Sequence, residues 1–327
     1  MITALEIENY RGIKHCKIEG LKQVNILIGR NNAGKSSILE ALYFASAEFE
    51  AEDPIRERNK ITYLVTRRTG RDVNEIVLFH NYNKNAKPRI TISLNGQEPF
   101  IMECGVGKKY EGGKMEYYTE CGVQPALPSK KEREFFTGAV MVDETLIRKL
   151  QIIEDALWSK LLPHRLDKVV IEALREGYEM SIEDLTYVRI YGNTQLVVKL
   201  PDTFRLIDDL GDGAKYAIVL TMIAATMHDS LLLIEEPEGH QHPGGLAKAM
   251  NVLLRLVKRN NLQVFMSTHS RELCIIVEEL AKKHDIKVST FFIERNEEGE
   301  VTTRRISPKG RKILELLGLD ARFLDLI

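Results

Sequence analysis

The stretch ILIGRNNAGKSSILEAL, residues 26–42, constrains the fold more than any other part of the 327-residue chain. An apolar run from Val24 to Ile28 ends at Gly29, and beyond the loop Ile38, Leu39, Ala41, Leu42 and Ala45 recur at helical spacing. The order is therefore strand, glycine loop, helix. Between those elements Gly29 to Ser36 fits GxxxxGKS, the spacing with which a backbone cradles phosphate groups. The glycines let the chain turn tightly. Backbone N–H groups of Asn31, Asn32, Ala33 and Gly34, with the helix start at Lys35, Ser36 and Ser37, are expected to face a nucleotide's phosphates. Lys35 is expected to reach the β and γ groups and Ser36 to bind Mg²⁺.

Two further strand ends carry chemistry. In LLLIEEPE four apolar residues predict a central buried strand, and Glu235 and Glu236 emerge at its carboxyl end, where open α/β sheets bind ligands. Glu235 is expected to hold Mg²⁺ and Glu236 to orient the water that attacks a γ-phosphate. His269 ends the predicted strand QVFMST and would stand beside the same phosphate.

The remaining chain reads as elements around this core. Residues 2–9 alternate like a strand, and residues 61–125, with EIVLF and RITISL, read as an antiparallel β lobe. Residues 140–204 read as a helical lobe, with Leu146, Leu150, Ile153 and Leu157 on one face and YVRIY and QLVVKL as a hairpin. TFRLIDDLGDGAKY is expected to be a loop running into the apolar helix AIVLTMIAATM, which is too short to span a bilayer. KVSTFFIE and VTTRRI form a second predicted hairpin, followed by a helix near Pro308 to Leu317.

Charge is balanced, 46 Lys and Arg against 47 Asp and Glu, so no global attraction to nucleic acid or membrane follows. Basic clusters at Arg67, Arg68 and Arg71, at Lys130, Lys131 and Arg133, and at Arg304, Arg305, Lys309, Arg311 and Lys312 read as solvated faces or as contacts to DNA or RNA phosphates. Cys16, Cys104, Cys121 and Cys274 show no CxxC pair and no short-range framework, which suits a reducing, cytoplasmic setting.

Taken in order, NYRGIK, GRNNAGKSS, LGDGAK, LLLIEEPEGHQHP and STHS resemble the ABC-class ATPases of the RecF, SMC and OLD-nuclease group, especially small AAA-type proteins with an OLD-like ATPase domain. The resemblance covers residues 1–50 and 205–327 and implies an α/β P-loop NTPase, a single ABC-type head over 1–327 with a mixed central sheet. Its P-loop core would comprise residues 1–60 and 205–327. It implies ATP and Mg²⁺ as cofactors and two heads packed head to tail, each ATP completed by a signature segment of the other head. By position that segment is Leu210 to Ala214, with Gly211, Gly213 and Lys215 as contacts. It departs from LSGGQ: Gly211 replaces the serine, Asp212 the first glycine and Ala214 the glutamine. Arg11 corresponds to a basic residue near the nucleotide in relatives, or is an exposed strand-end arginine; His240 and His242 fall in the segment that approaches the dimer interface.

The stretch after His269 has room for a hairpin and a helix and not for the nuclease domain of OLD proteins. The resulting expectation is an ATP-hydrolysing switch that closes a homodimer to control a separate nuclease or toxin effector, or DNA or RNA. The alternative is a nucleotide-gated scaffold with little turnover. A kinase with a small-molecule acceptor fits less well, because Glu236 and His269 have counterparts in hydrolases.

Overall fold

The computed structural model describes residues 1–68, 74–111, 114–124, 128–148, 150–178, 180–190, 193–239 and 241–307. The chain opens with β1 (Ile2–Tyr10), β2 (Ile13–Glu19) and β3 (Val24–Ile28), then α1 (Lys35–Ser46). A two-residue pair, β4 (Glu52–Asp53) and β5 (Arg58–Asn59), leads to α2 (Lys60–Thr66). Strands β6 (Arg89–Leu94), β7 (Phe100–Glu111) and β8 (Lys114–Gln124) follow, then α3 (Lys130–Thr137) and β9 (Val140–Val142). Helices α4 (Glu144–Arg148), α5 (Leu150–Leu161) and α6 (Leu166–Gly177) precede β10 (Asp184–Ile190), β11 (Asn193–Leu200) and β12 (Thr203–Leu206). The last part runs α7 (Asp212–Thr226), β13 (Leu231–Glu235), α8 (Pro243–Arg259), β14 (Gln263–Thr268), α9 (Arg271–Lys283), β15 (Val288–Arg295) and β16 (Glu300–Ile306).

One mixed sheet organises these elements in the order β8-β7-β6-β1-β2-β16-β15-β3-β14-β13-β9. Strands β9, β13, β14, β3 and β15 are mutually parallel, whereas β1, β2, β6, β7 and β8 pair antiparallel. The parallel strands are covered on both faces, and their residues alternate between two cores. Val24, Ile26, Leu232, Ile234, Val264 and Met266 face the core built with α5 to α9; Leu27, Leu231, Leu233 and Phe265 face the one built with α1 to α3. Asn25, buried within this apolar run, uses Nδ2 to donate to the carbonyls of Lys22 (2.8 Å) and Val264 (3.3 Å), so the central strand keeps a polar residue without an orphaned amide.

The apolar run of α7 is a buried helix, as its composition predicts, with Tyr216 to Ala225 all enclosed. Among the described residues no helix is long and apolar enough to cross a membrane. Three local expectations change. EIVLF is not a strand: Glu75–Leu78 forms a 3₁₀ turn because the Asn74 side chain accepts from the Ile76 N–H (3.3 Å). TFRL is not loop: it adds β12 to the β10–β11 hairpin. Cys104 and Cys121, remote in sequence, are directly opposed across β7 and β8 and form a disulfide, while Cys16 and Cys274 are buried and not disulfide-bonded. The helix expected near Pro308 to Leu317, and Arg71, His240, Lys309, Arg311 and Lys312, lie outside the described residues, as do the side chains of Leu150 and Ile153.

Candidate functional site

Parallel register brings four strand ends into one row. Ile28 pairs with Thr268, Glu235 with Ser267 and Ile234 with Val142, so the chain leaves the sheet side by side at Gly29, His269, Glu236 and Asp143. This is the carboxyl edge, where ligands bind in sheets of this type. The sequence-predicted residues Lys35, Glu235, Glu236 and His269 all converge there.

The loop from β3 to α1 needs its glycines at two points. A Cβ on Gly29 would lie 2.3 Å from the Ile293 carbonyl on β15, and Gly34 takes φ +98° as the N-cap of α1. Asn31 and Asn32 are exposed at the tip, Ala33 and Ser37 are buried, and Ser36 is partly buried in the first turn of α1. Lys35 folds back over the loop: Nζ donates to the carbonyls of Gly29 (2.9 Å) and Arg30 (2.8 Å) and to the His269 ring. Burial lowers its ammonium to about 8, against the opposing pull of Glu236, Glu238 and Glu235.

His269 joins Lys35 to Glu236. Its Nε2 lies 2.9 Å from Glu236 Oε1, and Lys35 Nζ lies 3.1 Å from Nε2 and 3.4 Å from Nδ1. A carboxylate only accepts, so the hydrogen of the contact between His269 and Glu236 is carried by Nε2. Glu236 is half exposed and has φ +45°, a left-handed conformation unusual for a non-glycine residue; its N–H is anchored to the Ser267 carbonyl at 3.0 Å.

Beside this open group lies a closed one that the sequence reading missed. Glu40, on α1 and fully buried, meets Arg11 Nε at 2.5 Å, Arg67 Nη1 at 2.8 Å and Arg68 Nη2 at 2.9 Å. Burial alone would raise the Glu40 carboxyl; the three guanidinium groups outweigh it and hold it below its ordinary value. Arg67 also pairs with Asp143 (3.3 Å) and with Glu235, and Arg56 links Asp143 (3.1 Å) to Asp53 (3.2 Å). Arg67 is therefore not part of a solvated face: its side chain is 8% exposed and ties α2 to the edge of the site. Arg68 is half exposed, with Nη2 3.4 Å from Ser37 Oγ. Arg11 is enclosed rather than exposed. It donates to the Leu64 carbonyl (2.7 Å) and borders a pocket of about 300 Å³ with Arg68, Phe79, Asn81 and Tyr82.

The signature segment opens α7. Gly211 is its exposed N-cap, and a Cβ on Gly213 would lie 3.5 Å from Tyr178 Oη. Lys215 pairs with Asp208. Within one chain Asp212 and Lys215 face Glu235 and Glu236 across a cavity of about 550 Å³, bordered also by Asp143 and Tyr216. His242 caps α8, its Nδ1 accepting from the Gly244 N–H at 3.2 Å, which commits that nitrogen to the helix. Among the described residues no group of three His, Cys, Asp or Glu side chains forms a metal cluster.

The chain belongs to the AAA ATPase domain family, whose model matches residues 1–138 and 142–274. It is 21% identical to an ATP/GTP phosphatase of Helicobacter pylori over 89% of this chain and 91% of that one. A short segment is 52% identical to the DNA replication and repair protein RecF of Nitrosococcus oceani, over 13% of this chain and 12% of RecF. In fold it resembles an SMC head bound to the C-terminal winged-helix domain of ScpA, with a TM-score of 0.60 at 13% identity, over 94% of this chain and 98% of that chain. Family, relatives and fold together make it an ABC-class, RecF/SMC-like ATP-binding ATPase with an SMC-head-like α/β architecture.

Proposed function

We propose that the chain hydrolyses ATP, and that the nucleotide cycle closes and opens a head-to-tail homodimer acting as a switch. The observation that carries this reading is the contact chain from Lys35 through His269 to Glu236 at the carboxyl edge of the sheet. The loop N–H groups and Lys35 bind and neutralise the phosphates. Glu236 accepts a proton from the attacking water, and His269 holds that carboxylate in place through its Nε2–H. Lys35 faces three carboxylates, so a triphosphate would bring further negative charge to an already acidic edge, a donor set suited to a divalent cation. Ser36 and Glu235 would hold Mg²⁺, which supplies charge neutralisation on the phosphates. Gly211, Gly213 and Lys215 of the second protomer would complete each site.

The output is proposed to be a separate nuclease or toxin effector, or DNA or RNA; that the similar SMC head is bound to a domain of another protein, ScpA, favours a protein. A second reading, a nucleotide-gated scaffold with little turnover, draws on Asp212, a carboxylate at the signature position bordering the same cavity as Glu235 and Glu236. Glu236→Gln separates the two. For the ATPase, hydrolysis should fall about 10²–10⁴-fold while ATP-dependent dimers accumulate on sizing. Turnover at the parent rate would remove Glu236 from the chemistry; absence of turnover in the parent chain would favour the scaffold.

A further inference from the structure

We infer that Glu238 is a positioning residue for hydrolysis, acting through the backbone of His269; this rests on the hydrolysis reading above. Glu238 lies on the turn that follows β13, a turn closed by the Gly239 N–H to the Glu236 carbonyl (2.9 Å) and by Gln241 Nε2 to the Pro237 carbonyl (2.8 Å). Its Oε1 accepts from two donors at the end of β14: the His269 N–H at 2.9 Å and Thr268 Oγ1 at 2.5 Å. β14 ends at Thr268, so the His269 N–H lies just past the strand and obtains its acceptor from this side chain.

The bond extends into α9. Thr268 Oγ1 accepts from the Ser270 N–H (2.9 Å), and Ser270 Oγ caps the helix by accepting from Leu273 (3.1 Å). One carboxylate oxygen therefore sets the whole turn from which the His269 ring projects between Lys35 and Glu236. The other, Oε2, is buried with no hydrogen-bond partner among the described residues. It belongs to a side chain whose charge also acts on Tyr216, one turn into α7, where burial first and Glu238 second raise the hydroxyl well above its ordinary value. Glu238 thus stands between the γ-phosphate edge and the helix that opens with the signature segment. It is a positioning residue because its hydrogen bonds go to His269 and Thr268 and not to the reacting groups.

The test is a cycle on the full chain: parent, Glu238→Ala, His269→Ala and the double variant, each measured for ATP turnover and for ATP affinity. Misplacing a catalytic group by about 1 Å costs roughly 100-fold in rate, so Glu238→Ala should lower kcat by about that factor while the ATP Kd stays within about threefold. In the His269→Ala background it should cause no further loss, because the two residues act as one unit. Glu238→Gln, which keeps an acceptor for both donors, should recover most of the rate. If Glu238→Ala does not fold, Glu238→Asp, with the carboxylate withdrawn by one methylene, reads the same cycle. Additive losses, or an unchanged kcat in a chain that His269→Ala slows, would overturn the role of Glu238 and leave the hydrolysis reading intact. Parent-rate turnover by His269→Ala would overturn the hydrolysis reading's use of His269 instead.

Discussion

Two groups of charges meet at the edge of one sheet and are built in opposite ways. Around Glu40 four guanidinium groups, Arg11, Arg56, Arg67 and Arg68, meet Glu40, Asp53, Asp143 and Glu235 at close range, with Glu40 wholly enclosed. Around Lys35 the charges are open: Glu236 is half exposed, and the ammonium is turned onto loop carbonyls. The first group has little capacity left for a ligand; the second has donors and carboxylates that a ligand can re-use. Glu235 belongs to both, so the metal-binding carboxylate of the proposed site is held by the structural network through Arg67.

That contrast implies that substitutions in the closed group change stability and those in the open group change chemistry. The largest effect is expected for Glu40→Ala, which leaves buried guanidinium groups without their shared carboxylate and should destabilise the chain by about 3–5 kcal/mol in urea unfolding. A loss below about 1 kcal/mol would mean that the group is compensated elsewhere.

Acid should act on the same group. Glu40 and Asp143 are held below the ordinary carboxylate range, Glu40 by Arg11, Arg67 and Arg68 and Asp143 by Arg56 and Arg67, in each case against the opposing effect of burial. A depressed carboxyl contributes stability above its unfolded pKa of about 4 and loses it as pH falls through the folded value. The melting temperature should therefore hold from neutral pH to about 5 and drop below about 4, with a shallower drop in Glu40→Ala. Identical acid profiles for the two chains would contradict the assignment.

In the open group Lys35, lowered to about 8, should make ATP binding pH-dependent. Phosphate favours the ammonium, so above pH 8 binding takes up a proton and affinity weakens by up to about tenfold per pH unit. Calorimetry in buffers of different ionisation enthalpy measures the uptake, and Lys35→Arg should abolish it. The smallest effect is on the fold itself: Glu236→Gln, so damaging to turnover, should shift stability by no more than about 0.5 kcal/mol because its side chain is half exposed.

The open group was largely legible in the sequence and the closed one was not. Glu235, Glu236 and His269 stand at strand ends that apolar runs announce, and Gly29 and Gly34 mark the loop from β3 to Lys35 at the start of α1. Glu40 lies among Leu39, Ala41 and Leu42 on a buried helix, a signal that an acid needs a partner but not which one. Arg67 read as one of a solvated cluster because its partners lie 27 and 168 residues away. Asp143 follows the edge strand β9, too short for its pattern to be distinctive. Glu238 was visible as a third acid in EEPE, but its acceptor role depends on the end of β14, some thirty residues on.

The sequence by itself determined the phosphate loop, its flanking strand and helix, and the acids and histidine at the carboxyl edge. Those features depend on turns, caps and periodicity within a few residues, where backbone geometry alone decides the outcome. Only the tertiary structure decided that Arg67 locks Glu235 to Glu40 and that Glu238 holds the backbone beneath His269. The effect of a buried charge depends on the partner that the sheet order brings to it, and that order is not set within any one segment.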